Sequence, residues 1–204
     1  MKQIFPFPSM KEDKYIWEEF KNEKEQALSY IYHQHIDFLF SYGKKFTKDK
    51  DFLMDVIQDL FYSLIKSRKN LGETDNIRLY LLKSFRRMLI REMDRSKKQA
   101  DLQNQYRFEP EIVFSIEENL IGDEERSKAL SFIQQGMKAL NSKQREVLYY
   151  KYTCEFTYPE ICEIMSVTPD SARQLVSRAI QSMKKYLSAN DFFLMLIFKK
   201  LKTF

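Results

Sequence analysis

The chain has 204 residues, of which 44% are apolar, and this is enough for one large or two small packed domains. Its net charge of +5 is compatible with a polyanionic partner but does not identify one. The two cysteines lack the paired spacing of a disulfide framework or a metal cluster, so we expect no cofactor. The first residues lack the continuous apolar core of a secretory signal and no apolar run reaches about 20 residues, so we expect a cytoplasmic protein.

Helical apolar periodicity dominates the sequence, and Gly and Pro number only 4 and 5, so we predict an all-α protein. The predicted helices span about residues 16–44, 51–67, 75–98, 126–140, 142–153, 158–165 and 169–187. An acidic stretch separates two groups of helices: residues 109–125 hold seven Asp or Glu and no Lys or Arg.

We therefore predict two small helical domains and two other segments. They are a domain at 1–98, an acidic linker at 99–125, a second domain at 126–187 and an apolar, then basic tail at 188–204.

The helix at 51–67 has one apolar and one polar face. The apolar face carries Leu53, Val56, Ile57, Leu60 and Leu64. The polar face carries Asp51, Asp55, Gln58, Asp59 and Tyr62. Such a polar face is most often simply solvated. The functional alternative is a docking surface for a basic partner.

The next helix carries a basic stripe opposite an apolar face of Leu82, Leu89 and Met93. The stripe consists of Tyr80, Lys83, Ser84, Arg87, Arg91 and Arg95. Stacked like charges destabilise an isolated helix, so this stripe favours an anionic partner such as a phosphate backbone, and an aromatic ring in it could stack on a base. The alternative is a solvated face partly neutralised by Glu92 and Asp94.

Residues 157–187 predict a helix-turn-helix. Thr157 and Glu160 form a capping-box pattern with Pro159 in the first turn, and Thr168 followed by Pro169 repeats the start signal a few residues later. The second helix places Ala172, Val176, Ala179, Ile180 and Met183 on its apolar face. Its polar face carries Asp170, Arg173, Gln174, Ser177, Arg178, Gln181, Lys184 and Lys185.

Arg and Gln near the start of an exposed helix can read base edges in a major groove, and Lys further along suits phosphates. Duplex DNA is the ligand that this pattern predicts. A tight helix pair in an ordinary bundle is the alternative interpretation.

Four segments resemble the extracytoplasmic-function group of bacterial sigma factors, in the family's order. They are "DVIQDLFYSL" from Asp55, "LYLLKSFRRMLIREMDR" from Leu79, "ALNSKQREVLYYKY" from Ala139 and "YPEICEIMSVTPDSARQLVSRAIQSMKKYL" from Tyr158. The resemblance implies a non-enzymatic protein that binds core RNA polymerase and directs promoter recognition and transcription initiation. Core RNA polymerase and promoter DNA are then the expected partners, and an anti-sigma factor is a further candidate.

The polar faces and the resemblance together give three predicted sites. The core-polymerase site comprises Asp55, Gln58, Asp59 and Tyr62. The minus-ten site comprises Tyr80, Lys83, Arg87, Arg91 and Arg95. The minus-thirty-five site comprises Arg173, Gln174, Ser177, Arg178 and Lys184.

The chain departs from the family pattern at three positions. Arg87 stands where Asn is common, Asn141 replaces the usual Pro, and the helix-turn-helix turn holds Ser166 without a Gly. We further expect the loop at 66–76 to receive a flipped base, and residues 109–125 to mimic the RNA backbone in a polymerase channel.

Two rival classes remain. A stand-alone dimeric helix-turn-helix regulator would bind a two-fold DNA site without polymerase. A metal-dependent nuclease would use Asp51, Asp55 and Asp59, but these project from a helix surface without a supporting Lys or His. His33 and His35 are two residues apart and cannot share a helix face, which argues against a zinc site there.

Overall fold

A computed structural model of the protein describes residues 10–100 and 136–184. The chain divides into two compact units, Met1–Phe108 and Glu109–Phe204. Throughout the described ranges the regular secondary structure is helical, which confirms the predicted all-α architecture with two helical domains. None of these helices combines the length and apolarity that a membrane span requires.

In the first unit, the described residues 10–100 form four α-helices and a short 3₁₀ turn. They are α1 (Met10–Lys21), α2 (Glu25–Gly43), α3 (Lys50–Ser67), the 3₁₀ turn Arg68–Asn70 and α4 (Ile77–Ala100). The helices pack around fully buried side chains that include Trp17, Ile31, Leu39, Leu53, Ile57, Leu60, Leu81 and Phe85. A continuous apolar core holds the exposed faces of α3 and α4 in place.

The predicted continuous helix at 16–44 is wrong, because a Schellman motif separates α1 from α2. In this motif the N–H of Lys24 donates to the carbonyl of Glu19 at 3.0 Å. The N–H of Glu23 donates to the carbonyl of Phe20 at 3.1 Å. Glu23 has a left-handed φ of 66°, a conformation usually supplied by glycine. Since no glycine stands there, the sequence carried no stop signal.

Charge pairs connect this turn to the 3₁₀ turn that follows α3. The Glu23 carboxylate lies 2.9 Å from the Arg68 guanidinium and 3.3 Å from the Lys69 ammonium. The hydrogen bond from Lys69 and the two positive charges lower the pKa of Glu23. Glu23, whose backbone conformation is strained, therefore also makes the ion pairs that join the α1–α2 turn to the 3₁₀ turn.

His35 is buried on the core side of α2, with 8% of its surface exposed, whereas His33 lies on the exposed side. Burial, and secondarily the nearby Arg78 charge, lower the pKa of His35 to about 4. The folded state therefore holds this imidazole neutral.

This burial predicts an acid-sensitive core. The pKa of His35 is near 6.5 in the unfolded chain and about 4 in the fold. As pH falls through this window, the unfolded chain takes up the proton first, which lowers the free energy of unfolding by about 3 kcal/mol in total. The stability is fully present above about pH 6.5. Urea unfolding of the His35→Gln variant at several pH values should show a smaller loss between pH 6.5 and 4 than the parent. His33→Gln, at the exposed position, should keep the parent's pH dependence, and an equal slope in both variants would contradict the assignment.

The second unit contains three described α-helices. They are α5 (Ser142–Leu148), α6 (Tyr158–Met165) and α7 (Pro169–Lys184), with a π-helical turn at Tyr149–Thr153. The predicted helix at 142–153 therefore ends early and widens into this turn. Only the last residues of the helix predicted at 126–140 lie among the described residues.

Candidate protein and nucleic-acid interfaces

The acidic face of α3 is exposed along its length. The Asp49 side chain starts the helix by accepting from the N–H of Phe52 at 3.0 Å. The predicted apolar residues are all buried, and Phe61 joins them. Asp55, Gln58 and Asp59 face solvent, and 67% of the Tyr62 surface is accessible. The fold thus leaves carboxylates, an amide and an aromatic ring together on one free surface.

Sequence reasoning missed Ile65, which lies one turn beyond Tyr62 and is 37% exposed. An accessible apolar side chain beside an accessible tyrosine extends the acidic face with a small hydrophobic contact area. Aromatic and apolar side chains of this kind supply much of the binding energy at protein interfaces.

The basic stripe of α4 is exposed mainly at its C-terminal end. Arg87, Arg91 and Arg95 face solvent, whereas Lys83 is half-buried. Glu92 lies 3.1 Å from the Arg91 side chain and 3.8 Å from that of Arg95. Ion pairs between exposed groups contribute little, so a phosphate could replace the Glu92 carboxylate at small cost.

Tyr80, at the start of the stripe, is half-buried rather than free. Its ring packs on the indole of Trp17 with centroids 4.7 Å apart and planes tilted by 54°. Burial raises the pKa of Tyr80, against a smaller lowering by Arg87. The ring is therefore held by α1.

The helix-turn-helix is built from the predicted start signals. Thr157 and Glu160 form a complete capping box at α6, with Pro159 in its first turn. Thr168 begins α7: its hydroxyl oxygen accepts from the N–H of Ser171 at 3.3 Å. Asn141 caps α5 in a capping box with Gln144, so the departure from Pro at this position leaves the helix start intact.

Ser166 makes the turn between α6 and α7. It adopts a left-handed conformation, with φ of 54° and ψ of 49°, and the N–H of the following Val167 donates to the carbonyl of Cys162 at 3.2 Å. Serine tolerates this conformation less well than glycine. The short connection nevertheless has the sharp turn that the sequence predicted.

The outer face of α7 presents every predicted minus-thirty-five residue to solvent. These residues are Arg173, Gln174, Ser177, Arg178 and Lys184. The inner face buries Ala172, Val176, Ala179 and Met183, while Ile180 is half-buried. The Arg173 guanidinium lies 3.1 Å from the Asp170 carboxylate. Asp170, which lies on the same helix, thus limits the orientations of the Arg173 guanidinium.

Sequence reasoning also missed that two cationic side chains contact the ring of Tyr158. The Lys151 ammonium lies 4.7 Å from the centre of its ring, and the Arg173 guanidinium lies 5.7 Å from it. Each cation is within the range of attraction to an aromatic face. Because Lys151 lies in the π-helical turn, no periodic pattern links it to α7. Only the tertiary fold brings the two cations to one ring.

Other predicted features have different outcomes. Asp51, of the nuclease alternative, is also exposed on α3. In the described ranges, no group of three or more His, Cys, Asp or Glu side chains is placed to hold a metal ion. The tail and nearly all of the acidic linker lie outside the described residues, so the predicted domain limits and the RNA-mimic hypothesis stay predictions.

Family models match both helical units. The model described as "Sigma-70 region 2" matches residues 31–99, and that described as "Sigma-70, region 4" matches residues 133–183. Together they span more than half of the chain, in the order that the sequence predicted. The chain belongs to the sigma-70 family. A sigma factor binds core RNA polymerase and directs promoter recognition, and this function is confirmed for the chain at that level.

Two solved structures share the fold of this sigma factor. CnrH, in complex with the cytosolic domain of CnrY, has a TM-score of 0.56 at 14% identity, over 86% of this chain and 96% of CnrH. RpoE from Bartonella quintana, in complex with the anti-sigma factor NepR, has a TM-score of 0.54 at 16% identity, over 80% of this chain and 95% of RpoE. Comparison with curated protein sequences gave no match.

Proposed function

We propose that this sigma factor belongs to the extracytoplasmic-function group and divides its work among three surfaces. The exposed face of α3 docks on core RNA polymerase, the basic stripe of α4 binds the minus-ten element, and the outer face of α7 reads the minus-thirty-five element. The observation that carries the proposal is that the polar faces of α3 and α7, and the C-terminal part of the stripe on α4, are exposed in domains that match sigma regions 2 and 4.

The core-binding surface consists of Asp55, Gln58, Asp59 and Tyr62. Its carboxylates are accessible to a basic surface on the polymerase, while Tyr62 offers ring area that can be buried in the complex. Docking needs no rearrangement of α3, because the opposite face is already fixed in the core.

The two DNA-binding surfaces work as one unit on the polymerase. Each alone makes few contacts, but attachment to the same enzyme raises the effective concentration of the second element once the first is bound. Arg87, Arg91 and Arg95 supply cations for phosphates, and α7 supplies base readout through Arg173 and Gln174. Melting requires no nucleotide hydrolysis by this chain, since stacking and backbone neutralisation can offset the cost of unpairing.

The remaining parts of the proposal concern cellular context. The protein acts in the cytoplasm as a regulator without catalytic activity or a cofactor of its own. An anti-sigma factor is a proposed partner, because both CnrH and RpoE are solved with a second protein, named as an anti-sigma factor in the case of RpoE. The predicted linker at 99–125 and tail at 188–204 complete this organisation.

Transcription with purified components tests the proposal. Core RNA polymerase plus the protein should start transcription at defined sites on genomic DNA, and neither component should do so alone. A gel shift with and without core polymerase separates this function from the rival dimeric regulator. Tight binding of the protein alone to a two-fold DNA site, with no stimulation of the polymerase, would support the rival instead.

A further inference from the structure

Helix α1 precedes the segment matched by the region 2 model, which begins at residue 31. It nevertheless contacts the parts of the first unit that are expected to handle melted DNA. Of the loop predicted at 66–76, the structure places residues 66–70 in α3 and the 3₁₀ turn, so that the loop itself spans 71–76. The parts in question are this loop and the first turns of α4. Three contacts, each made by a different atom group, connect α1 to them.

The first contact holds the middle of the loop. Trp17 is almost completely buried, at 1% exposed, and its indole Nε1–H donates to the carbonyl oxygen of Gly72 at 2.8 Å. Gly72 itself is exposed, and a side chain there would meet nothing within 4 Å. A core residue thus holds a backbone carbonyl in an open loop.

The second contact holds the end of the loop. The Asp13 side chain is 7% exposed, and its Oδ2 accepts from the N–H of Ile77, the first residue of α4, at 2.8 Å. Asn76 supplies a second acceptor for this helix start, because its Oδ1 accepts from the N–H of Leu79 at 2.9 Å. Helix N–H groups that lack intrahelical partners are therefore satisfied partly from α1.

The third contact reaches the basic stripe. The Trp17 ring packs on Tyr80 at 4.7 Å, so one indole contacts both the loop and a residue of the proposed minus-ten site. Lys14 adds a longer ion pair to Glu73 at 3.7 Å, but both side chains are exposed and this pair contributes little. The indole is the common element of the arrangement.

The loop's own chemistry indicates what it could bind. Between residues 71 and 76 there are two carboxylates, Glu73 and Asp75, and no Lys or Arg. Such a loop repels phosphates but can accept hydrogen bonds from the amino group of a base. In a duplex one hydrogen of that amino group is used in the base pair, so the group and the rest of the pairing edge become available together only after the base leaves the duplex.

We propose that α1 positions the loop at 71–76 to receive an unpaired promoter base, with Trp17 as the positioning residue. The inference rests on the proposed function, because it assumes that the first domain handles melted minus-ten DNA. It goes beyond that function by giving a role to a helix that the region 2 match does not include. Trp17 itself need not touch the DNA.

The test uses the holoenzyme and fork-junction DNA whose minus-ten bases are single-stranded on the non-template strand. In one series of probes an abasic nucleotide replaces each of these bases in turn. The wild-type holoenzyme should lose affinity when one particular base is removed. Trp17→Phe keeps an aromatic ring beside Tyr80 but removes the N–H donor. The affinity of this variant for the intact fork should fall roughly three- to tenfold relative to the wild type, as expected for one hydrogen bond. Removing the same base from the probe should then lower the affinity of the variant only slightly more.

A second variant excludes a simple packing defect. Trp17 is the only tryptophan in the chain, so residue-specific incorporation gives Trp17→benzothienylalanine, which keeps the shape of the indole without its N–H. It should behave like Trp17→Phe on the fork probes. Tyr15→Phe, at a position of α1 that is 67% exposed, should behave like the wild type. Binding to core polymerase should be unchanged in all three variants.

The outcomes separate the two levels of the proposal. Suppose that an abasic position lowers the affinity of the wild type and lowers that of both Trp17 variants by the same factor. The positioning role is then wrong, while the proposed function stands. If the wild type responds at no position, base capture by this domain is wrong and the inference fails with it. If Trp17→Phe loses affinity but the isosteric variant does not, packing rather than the hydrogen bond is responsible, and the inference is overturned.

Discussion

Asp55→Lys should abolish co-purification of the protein with core RNA polymerase while leaving the fold intact. Asp55 lies at the centre of the exposed face of α3, between Asp51 and Asp59. A lysine there would present a positive charge to the basic surface that we expect on the polymerase. A like-charge contact at an interface costs several kcal/mol, so the affinity should fall more than about 100-fold.

The same substitution should be harmless to the isolated protein. Asp55 is exposed, and surface substitutions usually change the free energy of unfolding by about 0.5 kcal/mol or less. A lysine at this position is also spaced for favourable i,i+4 pairs with Asp51 and Asp59. Thermal unfolding followed by circular dichroism should therefore give nearly the parent's midpoint.

A matched variant controls for the change in net charge. Asp37→Lys makes the same charge reversal at an exposed position of α2. It should co-purify with core polymerase like the parent. Retention of Asp55→Lys on the polymerase at the parent's level would indicate that the acidic face is merely solvated.

Arg173→Ala should reduce selectivity for the minus-thirty-five element without a large loss of stability. Arg173 is exposed near the start of α7, where an arginine can donate two hydrogen bonds to a guanine edge. A bidentate contact of this kind discriminates between base pairs by about 1 to 3 kcal/mol, or roughly 5- to 150-fold. Competition between promoters that differ by one base pair in this element measures the effect directly.

The surroundings of Arg173 favour such a contact. Its ion pair with Asp170 is exposed and therefore weak, so the guanidinium can exchange it for a base at little cost. Attraction to the Tyr158 ring further limits the conformations of the side chain before binding. A side chain that is already directed loses less entropy on binding.

Lys184→Ala provides the contrast at the other end of α7. A lysine there suits a phosphate, so its removal should weaken binding by a similar factor on all promoters and reduce the salt dependence. If Arg173→Ala gives the same uniform loss, Arg173 contacts the backbone and the proposed base readout is wrong.

The exposed faces were predictable because they follow from local pattern. Helical spacing separated Leu53 and Ile57 from Asp55 on α3, and the same rule separated Val176 from Arg173 on α7. The helix starts were equally legible, since Thr157 and Asn141 form their caps with residues only three positions away. Interactions between residues so close in sequence can be predicted from the sequence alone.

The missed features depend on residues that are far apart in sequence or on uncommon backbone. Trp17 reaches Gly72 and Tyr80 across more than fifty residues, which no periodicity links. Glu23 occupies a left-handed position without the glycine that normally marks it. Lys151 meets Tyr158 only because the chain widens into a π-helical turn, and such turns have no simple sequence signal.

The caps of the second unit have a thermodynamic consequence for DNA binding. Helices as short as α5 and α6 are unstable as free peptides, yet each begins at a complete reciprocal cap before any nucleic acid arrives. The helix-turn-helix is therefore already folded before it binds DNA. Calorimetry of its association with the upstream element should show a heat-capacity change explained by the contact area alone, without the larger contribution that accompanies coupled folding.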